Sequence, residues 1–189
     1  MNIRLSMTLT CALILSGPAH AASTVLFNTS PAYECYRQTL TDTTRPDIEP
    51  CTMAIELQGL DVEALAATYS NRGILLARMG DLREALSDHN RAVEFGTGKS
   101  HLFINRANAL VRVKRFSEAM RDLDRAVEIA DEALAAAHYN RSLLFHRLGD
   151  LPSARVEAEK ASQLSPESMA YRQFFESLSG IEGLNDEAL

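Results

Sequence analysis

The chain has 189 residues, a formal net charge of −6 and no tryptophan. General nucleic-acid binding needs a basic surface with interleaved aromatic side chains, and this composition argues against that class of protein. The length allows one domain.

The first segment, residues 1–21, has the pattern of a secretory signal peptide. A start with one charge at Arg4 leads into an apolar run over residues 5–16 that is too short to span a bilayer. A Gly-Pro pair breaks this run, and small residues flank a predicted cut after Ala21. We therefore expect an exported protein, periplasmic or secreted, without membrane insertion after cleavage; a membrane anchor is the alternative.

Residues 22–62 form a predicted N-terminal cap region that contains two cysteines, Cys35 and Cys51. Each cysteine neighbours a helix-like segment, and a polar connection with two prolines separates them. In an oxidising compartment this pair predicts a disulfide, because a metal site or a redox pair would need a CxxC motif or nearby histidines. Closing a loop of about 15 residues stabilises a fold by roughly 3 kcal/mol in the chain-entropy model. We expect this disulfide to hold an incomplete hairpin at the open end of the fold.

Residues 63–166 repeat one helical-hairpin pattern three times, over Tyr69–Phe95, Phe103–Ile129 and His138–Leu164. In each first helix an aromatic or histidine, a small residue and an apolar residue fall at i, i+4 and i+7, which is one helix face. The small residue lets the second helix approach closely. These small residues are Gly73, Ala107 and Ser142, and the central alanines of the second helices, 34 and 35 residues apart, are Ala85, Ala119 and Ala154.

Turn residues separate the two helices of each copy. Gly80 and Gly149 suit the left-handed conformation that ends a helix, and Asp81 and Asp150 are candidate caps for the helix that follows. The segment G-T-G-K-S at residues 96–100 lacks the spacing of a phosphate loop, so we interpret it as a helix stop and a restart capped by Ser100.

The copies contain S-N-R-G-I-L-L-A-R-M-G-D-L-R-E-A-L, I-N-R-A-N-A-L-V-R-V-K-R-F-S-E-A-M and Y-N-R-S-L-L-F-H-R-L-G-D-L-P-S-A-R. With these residues the chain resembles the tetratricopeptide repeat (TPR) family over about residues 66–166, and we identify it as similar to exported bacterial TPR proteins. The resemblance implies an all-α, right-handed α-solenoid and, for function, only a protein-interaction adaptor. Since no catalytic constellation is present in the sequence, we expect a non-enzymatic protein. Departures from the family pattern are Lys114 and Arg115 in the second turn, His138 at an aromatic position and Pro152 in the third turn.

The C-terminal end predicts a closing helix at residues 167–178, followed by an acidic, frayed tail at residues 179–189. Tyr171, Phe174 and Phe175 are placed to cover the last hairpin.

Two polar columns recur at the repeat interval. They are Asn71, Asn105 and Asn140, and Arg78, Arg112 and Arg147. Within each copy the two residues are seven apart, so they share one helix face about 10.5 Å apart along the axis. The resemblance implies that the first helices line a concave groove, where the amides would hold a peptide backbone and the arginines would favour an acidic guest. The alternatives are a structural consensus asparagine and a solvated helix-end arginine.

A third column of arginines, Arg72, Arg106 and Arg141, is always followed 16 residues later by an acid. These acids are Asp88, Asp122 and Glu157. We predict repeated structural ion pairs.

We expect the protein to bind a partner protein or an extended peptide in the groove, as an envelope scaffold or assembly factor. Apolar residues beside the asparagines, Ile74, Ile104 and Leu143, favour this hypothesis. The alternative is a regulatory subunit that docks on an envelope enzyme through its convex face. Neither a catalytic motif nor a metal-binding motif accompanies the histidines, so we expect no catalytic residues, no metal and no cofactor.

Overall fold

The computed structural model of the protein describes residues 30–57, 59–96 and 98–186, and all regular structure within them is helical. The predicted signal peptide lies outside the described residues. The described helices are α1 (Pro31–Thr39), α2 (Glu49–Glu56), α3 (Val62–Met79), α4 (Leu82–Phe95), α5 (Ser100–Arg112), α6 (Phe116–Ile129), α7 (Leu134–Leu148), α8 (Leu151–Leu164) and α9 (Met169–Asp186). None of them is long and apolar enough to cross a membrane.

The three predicted hairpins are α3–α4, α5–α6 and α7–α8, and they stack in chain order as an α-solenoid. The predicted all-α solenoid fold is therefore confirmed. The first helices of successive hairpins touch, α3 against α5 and α5 against α7, so these helices line the inner side of the stack. Small side chains make this stacking close, and the central alanines are fully buried.

The helix ends agree with most of the predicted turns. Gly80 and Gly149 adopt left-handed conformations, with φ of 96° and 83°, and Lys114 takes the same role in the second hairpin with φ of 62°. Asp150 caps α8 by accepting a hydrogen bond from the Ser153 N–H at 3.1 Å. Asp81 makes no such side-chain bond, so its predicted capping role is wrong.

Ser100 opens α5 but does not cap it, in contrast to the prediction. Its hydroxyl is buried and donates to the Ala126 carbonyl at 2.9 Å, while its own N–H donates to Asp131 Oδ2 at 2.9 Å. A carboxylate from the turn after α6 therefore supplies the partner that the start of α5 needs. The serine hydroxyl instead ties the start of one hairpin to its second helix.

A disulfide joins α1 to α2 through Cys35 and Cys51, whose Cα atoms are 4.6 Å apart. Both cysteines are fully buried and pack against Leu75 of α3 together with Ile48. The hairpin α1–α2 thus lies against the first helix of the first repeat.

At the other end, α9 packs on α8 and is longer than the predicted closing helix of residues 167–178. It is helical to Asp186, so most of the segment predicted as a frayed tail is helical. Leu178 is buried, and Phe174 and Phe175 pack with it against Ala154 and Ala158. The predicted aromatic cover over the last hairpin is confirmed.

The repeated ion pairs are confirmed in all three hairpins, and each is bidentate. Nε and Nη2 of the arginine donate to the two carboxylate oxygens at 2.6–3.0 Å, and each acid is buried. A bidentate pair fixes the geometry of both partners, so each one locks a first helix to its own second helix. The pairs are Arg72–Asp88, Arg106–Asp122 and Arg141–Glu157.

Candidate functional site

Two clefts open along the inner side of the stack. The first cleft, of ≈ 290 Å³, lies between α3 and α5, and the second cleft, of ≈ 510 Å³, lies between α5 and α7. They share Asn108 and Arg112 of α5, so they form one continuous surface that we call the inner groove.

The same repeat positions line both clefts. All eight residues of the first cleft have their counterparts, one copy later, in the second. The residues of the first cleft are Ile74, Ala77, Arg78, His89, Asn105, Asn108, Ala109 and Arg112. Their counterparts in the second cleft are Asn108, Val111, Arg112, Leu123, Asn140, Leu143, Leu144 and Arg147, to which His146 is added.

The asparagine column is divided between the two clefts. Asn105 lines the first cleft and donates through Nδ2 to Ser70 Oγ at 3.0 Å. Asn140 lines the second cleft and donates through Nδ2 to the Ala136 carbonyl at 2.8 Å. In both residues the amide oxygen is left as an acceptor within the described part of the chain. Asn71, half-buried in α3, lines neither cleft.

The arginine column lines the clefts, but its members differ in what they bond. Arg78 donates to the main-chain carbonyls of Thr39 and Thr41 at 2.7 and 2.9 Å. Arg112 donates in the same manner to the Ala77 carbonyl. Arg147 is exposed, and no hydrogen-bond or ion-pair partner for it lies among the described residues. The first two arginines therefore tie neighbouring hairpins together, whereas no described residue uses the donors of Arg147.

The groove is positively charged although the chain is acidic overall. Among the described residues that line the two clefts there are three arginines and no acid. The acids of the repeated ion pairs lie on the second helices and bond the arginines Arg72, Arg106 and Arg141. An acidic ligand would thus meet a favourable field in the groove in spite of the net charge of −6.

The floor of each cleft comes from the second helix of a hairpin. In the second cleft it is Leu123, and in the first it is His89, which is 2 % exposed. Burial, reinforced by the charge of Arg106, lowers the pKa of His89 to about 4, so the imidazole is neutral at pH 7. The two clefts therefore share their lining positions but differ in the polarity of their floors.

Sequence reasoning missed Asn108 and misplaced Ile104. Asn108 is exposed and belongs to the column of Ile74 and Leu143, a position that the repeat register alone identifies. Ile104 is only 6 % exposed and packs in the core, so it does not contribute to the apolar wall that we expected. Leu143, 37 % exposed, does line the second cleft.

The described residues include no group of three or more histidine, cysteine or acidic side chains that could hold a metal ion. The groove offers hydrogen-bonding amides, cationic groups and apolar walls. This set of groups suits the recognition of a polymer segment.

Comparisons with known proteins agree with the fold. Residues 65–96 match the family described as tetratricopeptide repeat. A crystal structure of MamA protein superposes with a TM-score of 0.62 at 18 % identity, covering 89 % of this chain and 87 % of that one. No curated protein matches the chain in sequence.

Two further structures are similar over smaller parts of this chain. YrrB, described as a TPR protein with an unusual peptide-binding site, gives a TM-score of 0.58 at 24 % identity over 75 % of this chain and 71 % of its own. The first TPR of Spaghetti (RPAP3), bound to the HSP90 peptide SRMEEVD, gives 0.57 at 21 % identity over 64 % of this chain and 95 % of its own. At these identities the likeness shows the TPR fold.

Proposed function

We propose that this protein binds an extended peptide segment of a partner protein in the inner groove and has no catalytic activity of its own. The observation that carries this proposal is the repetition of one set of lining positions in two adjoining clefts. A site that repeats along an axis matches a ligand that repeats along an axis, and a polypeptide backbone is such a ligand.

The lining side chains suit a backbone. An amide donates and accepts at once and so can hold a peptide unit whatever side chain follows it. Asn108 is exposed and stands where the clefts meet, between Asn105 and Asn140. Ile74 and Leu143 supply apolar walls for side chains of the guest. Two similar structures support this function, since one holds a bound peptide and the other is described by its peptide-binding site.

The charge of the groove favours an acidic guest. Arg112 and Arg147 flank the second cleft, with His146 beside them. Because Arg147 has no partner among the described residues, a carboxylate of the guest can form a charge-assisted bond with it without displacing an existing one. The peptide held by the RPAP3 domain, SRMEEVD, is also acidic.

The setting that we propose is an oxidising compartment outside the cytoplasm, with the protein as an envelope scaffold or assembly factor. The signal-like segment over residues 1–21 and the Cys35–Cys51 disulfide support export, since disulfides persist mainly in oxidising environments.

The experiment is a selection of displayed peptides on the purified protein, followed by titration of the selected sequence. Asn108→Ala should weaken binding at least about fivefold, because one neutral hydrogen bond is worth about 0.5–1.5 kcal/mol and this residue serves both clefts. Asn71→Ala is the matched control, since it changes the same residue type on a first helix outside the clefts. If the affinity of the selected peptides does not change in Asn108→Ala, the result contradicts binding in the groove and favours the convex face.

A further inference from the structure

His89 has an unusual environment. Its Nδ1 is the one buried side-chain nitrogen or oxygen without a hydrogen-bond partner in the described part of the chain. Buried polar atoms are almost always bonded, so such an atom calls for a physical explanation.

The need to fill space in the core does not explain why position 89 holds a histidine. The same position holds Leu123 in the second hairpin and Ala158 in the third, and both are buried. The imidazole fits only because its neighbour is Gly73, where a β-carbon would lie 2.9 Å from Cε1 and Nε2 of the ring. The second hairpin fills the equivalent space with Ala107 and Leu123, which carry no polar group.

The tautomer follows from the burial of Nδ1. A proton on Nδ1 would be a buried donor without an acceptor, so the neutral ring carries its proton on Nε2. Nε2 is not among the buried unpartnered atoms, and the imidazole lines the first cleft. His89 therefore presents an N–H donor at the floor of this cleft.

Asn105 presents the complementary group in the same cleft. One Nδ2–H of Asn105 donates to Ser70 Oγ, and Oδ1 has no partner among the described residues. The two arginines of the cleft are already engaged, Arg78 with Thr39 and Thr41 and Arg112 with Ala77. Apart from the exposed Asn108 and the second Nδ2–H of Asn105, the neutral groups left for a guest among the described residues are one donor on His89 and one acceptor on Asn105.

We propose that the first cleft is a subsite for a primary amide, such as the side chain of asparagine or glutamine in the guest, with His89 as its specificity-determining residue. The amide oxygen accepts from His89 Nε2–H, and the amide NH₂ donates to Asn105 Oδ1. A carboxylate in place of the amide would bring one of its oxygens next to Asn105 Oδ1, and two acceptors repel each other. A hydrocarbon group would leave both His89 Nε2–H and Asn105 Oδ1 without a hydrogen bond. This inference rests on the proposed function of the groove. It separates an amide-reading first cleft, whose two arginines are bonded to main-chain carbonyls, from a second cleft that contains Arg147.

The test uses propionamide and its isostere propionate as probes, so it needs no natural partner. Protein labelled with [¹⁵N]histidine and [¹⁵N]asparagine is titrated with each probe. The imidazole nitrogens of His89 and the side-chain amides of Asn105 and Asn108 are followed by NMR. Propionamide should shift them saturably, and propionate should bind at least fivefold more weakly. His89→Leu should abolish the response of the Asn105 and Asn108 amides to propionamide, while His89→Gln should keep part of it.

Thermal unfolding of the variants separates recognition from structure. Because Leu123 occupies the equivalent place, His89→Leu should unfold at the wild-type temperature or above. A loss of stability in this variant would mean that the histidine is structural and would overturn the proposal. Equal responses to the two probes would overturn it as well. If propionamide causes no shift while selected peptides still bind through Asn108, the proposal of an amide subsite is wrong, and the proposal of peptide binding in the groove is retained.

Discussion

Glu157 is held by more partners than the acids at the equivalent positions of the other hairpins. Besides the bidentate Arg141, it accepts from Lys160 Nζ at 2.9 Å and lies 2.7 Å from His138 Nδ1. Burial disfavours the carboxylate, but these hydrogen bonds outweigh burial and lower the pKa of Glu157 to about 2. His138, a departure from the aromatic pattern at this position, thus serves the ion pair of the third hairpin.

Replacing Glu157 should change how stability depends on acid. Since the folded-state pKa lies below the ordinary 4.5, the stability that ionised Glu157 contributes is complete above about pH 4.5 and is lost as the pH falls towards 2. Glu157→Gln should therefore be less stable at pH 5 and should lose less stability between pH 4.5 and 2. Urea unfolding across this range measures it, with the exposed Glu159→Gln as control. Parallel curves for wild type and Glu157→Gln would contradict the assignment.

The contact between Gly73 and His89 predicts a coupled pair of substitutions. Gly73→Ala should destabilise the fold by about 1–3 kcal/mol through overpacking against the ring, in spite of the gain of about 0.5–1 kcal/mol that alanine brings to a helix. Adding His89→Leu recreates the pair Ala107 and Leu123 of the second hairpin and should remove the loss. Thermal unfolding of the two single variants and the double variant gives the coupling energy. Additive effects would show that the two residues do not contact each other.

Among the elements, the disulfide-bonded hairpin α1–α2 is attached as a repeat would be. The third nitrogen of each paired arginine reaches the second helix of the preceding hairpin. Arg106 Nη1 donates to Asn90 at 3.3 Å, and Arg141 Nη1 donates to Asp124 at 3.0 Å. Arg72 Nη1 makes the equivalent bond to Thr52 of α2 at 3.2 Å. Short as it is, the N-terminal hairpin takes the place of a preceding repeat in this network.

The two arginine columns should differ in their effect on stability. Arg106→Ala leaves the buried Asp122 without its bidentate partner and should cost roughly 1–3 kcal/mol. Arg112→Ala removes an exposed side chain bonded to one carbonyl and should cost less than about 1 kcal/mol. Urea unfolding of both variants tests this order. Equal losses would mean that the exposed column stabilises the stack as much as the buried ion pairs do.

Loss of the disulfide should act first on the N-terminal hairpin. The double variant Cys35→Ser, Cys51→Ser should lose roughly 3 kcal/mol of the stability of α1–α2, because the bond restrains a loop of about 15 residues in the unfolded chain. Hydrogen exchange should rise in α1 and α2 before it rises in α5–α8. Wild-type protein, denatured without reductant, should show no thiol from Cys35 or Cys51 by labelling. Labelling of both would contradict the pairing.

Sequence reasoning identified the hairpins and the ion pairs because both depend on repeat spacing, which a sequence displays directly. It did not identify Asn108, since an asparagine in the column of Ile74 and Leu143 has no periodic signal of its own type. The hydrogen bond from Arg78 to the Thr41 carbonyl, in the turn after α1, could not be predicted. It depends on how the N-terminal hairpin packs against α3. Ser100 was assigned as a cap from its residue type alone, while a carboxylate from another turn satisfies that helix end.

At the scale of the whole molecule, charge is segregated between the groove and the remaining surface. Among the described residues no acid lines either cleft, and the groove contains Arg78, Arg112 and Arg147. An acidic guest should therefore bind faster and more tightly at low ionic strength, while the net charge of −6 opposes its approach elsewhere.

Removing the charge of Arg147, which has no partner among the described residues, should reduce this salt dependence. Arg147→Gln should weaken binding of an acidic selected peptide several-fold at low salt and much less at high salt, because screening already removes part of the attraction. Arg125→Gln, which removes an exposed arginine paired with Glu128 on α6, is the matched control and should leave affinity unchanged. Titration calorimetry at two salt concentrations measures both. A salt-independent loss in Arg147→Gln would indicate a steric role for this side chain.

Each cleft is built from two hairpins, so neither cleft exists in a hairpin that has separated from its neighbour. A guest that spans both clefts would therefore add its binding free energy to the contacts between repeats and not to any repeat by itself. Occupancy would raise the cooperativity of unfolding, and the ends of the stack would open less often when the groove is filled. In such a protein the ligand sets how many repeats behave as a single folding unit.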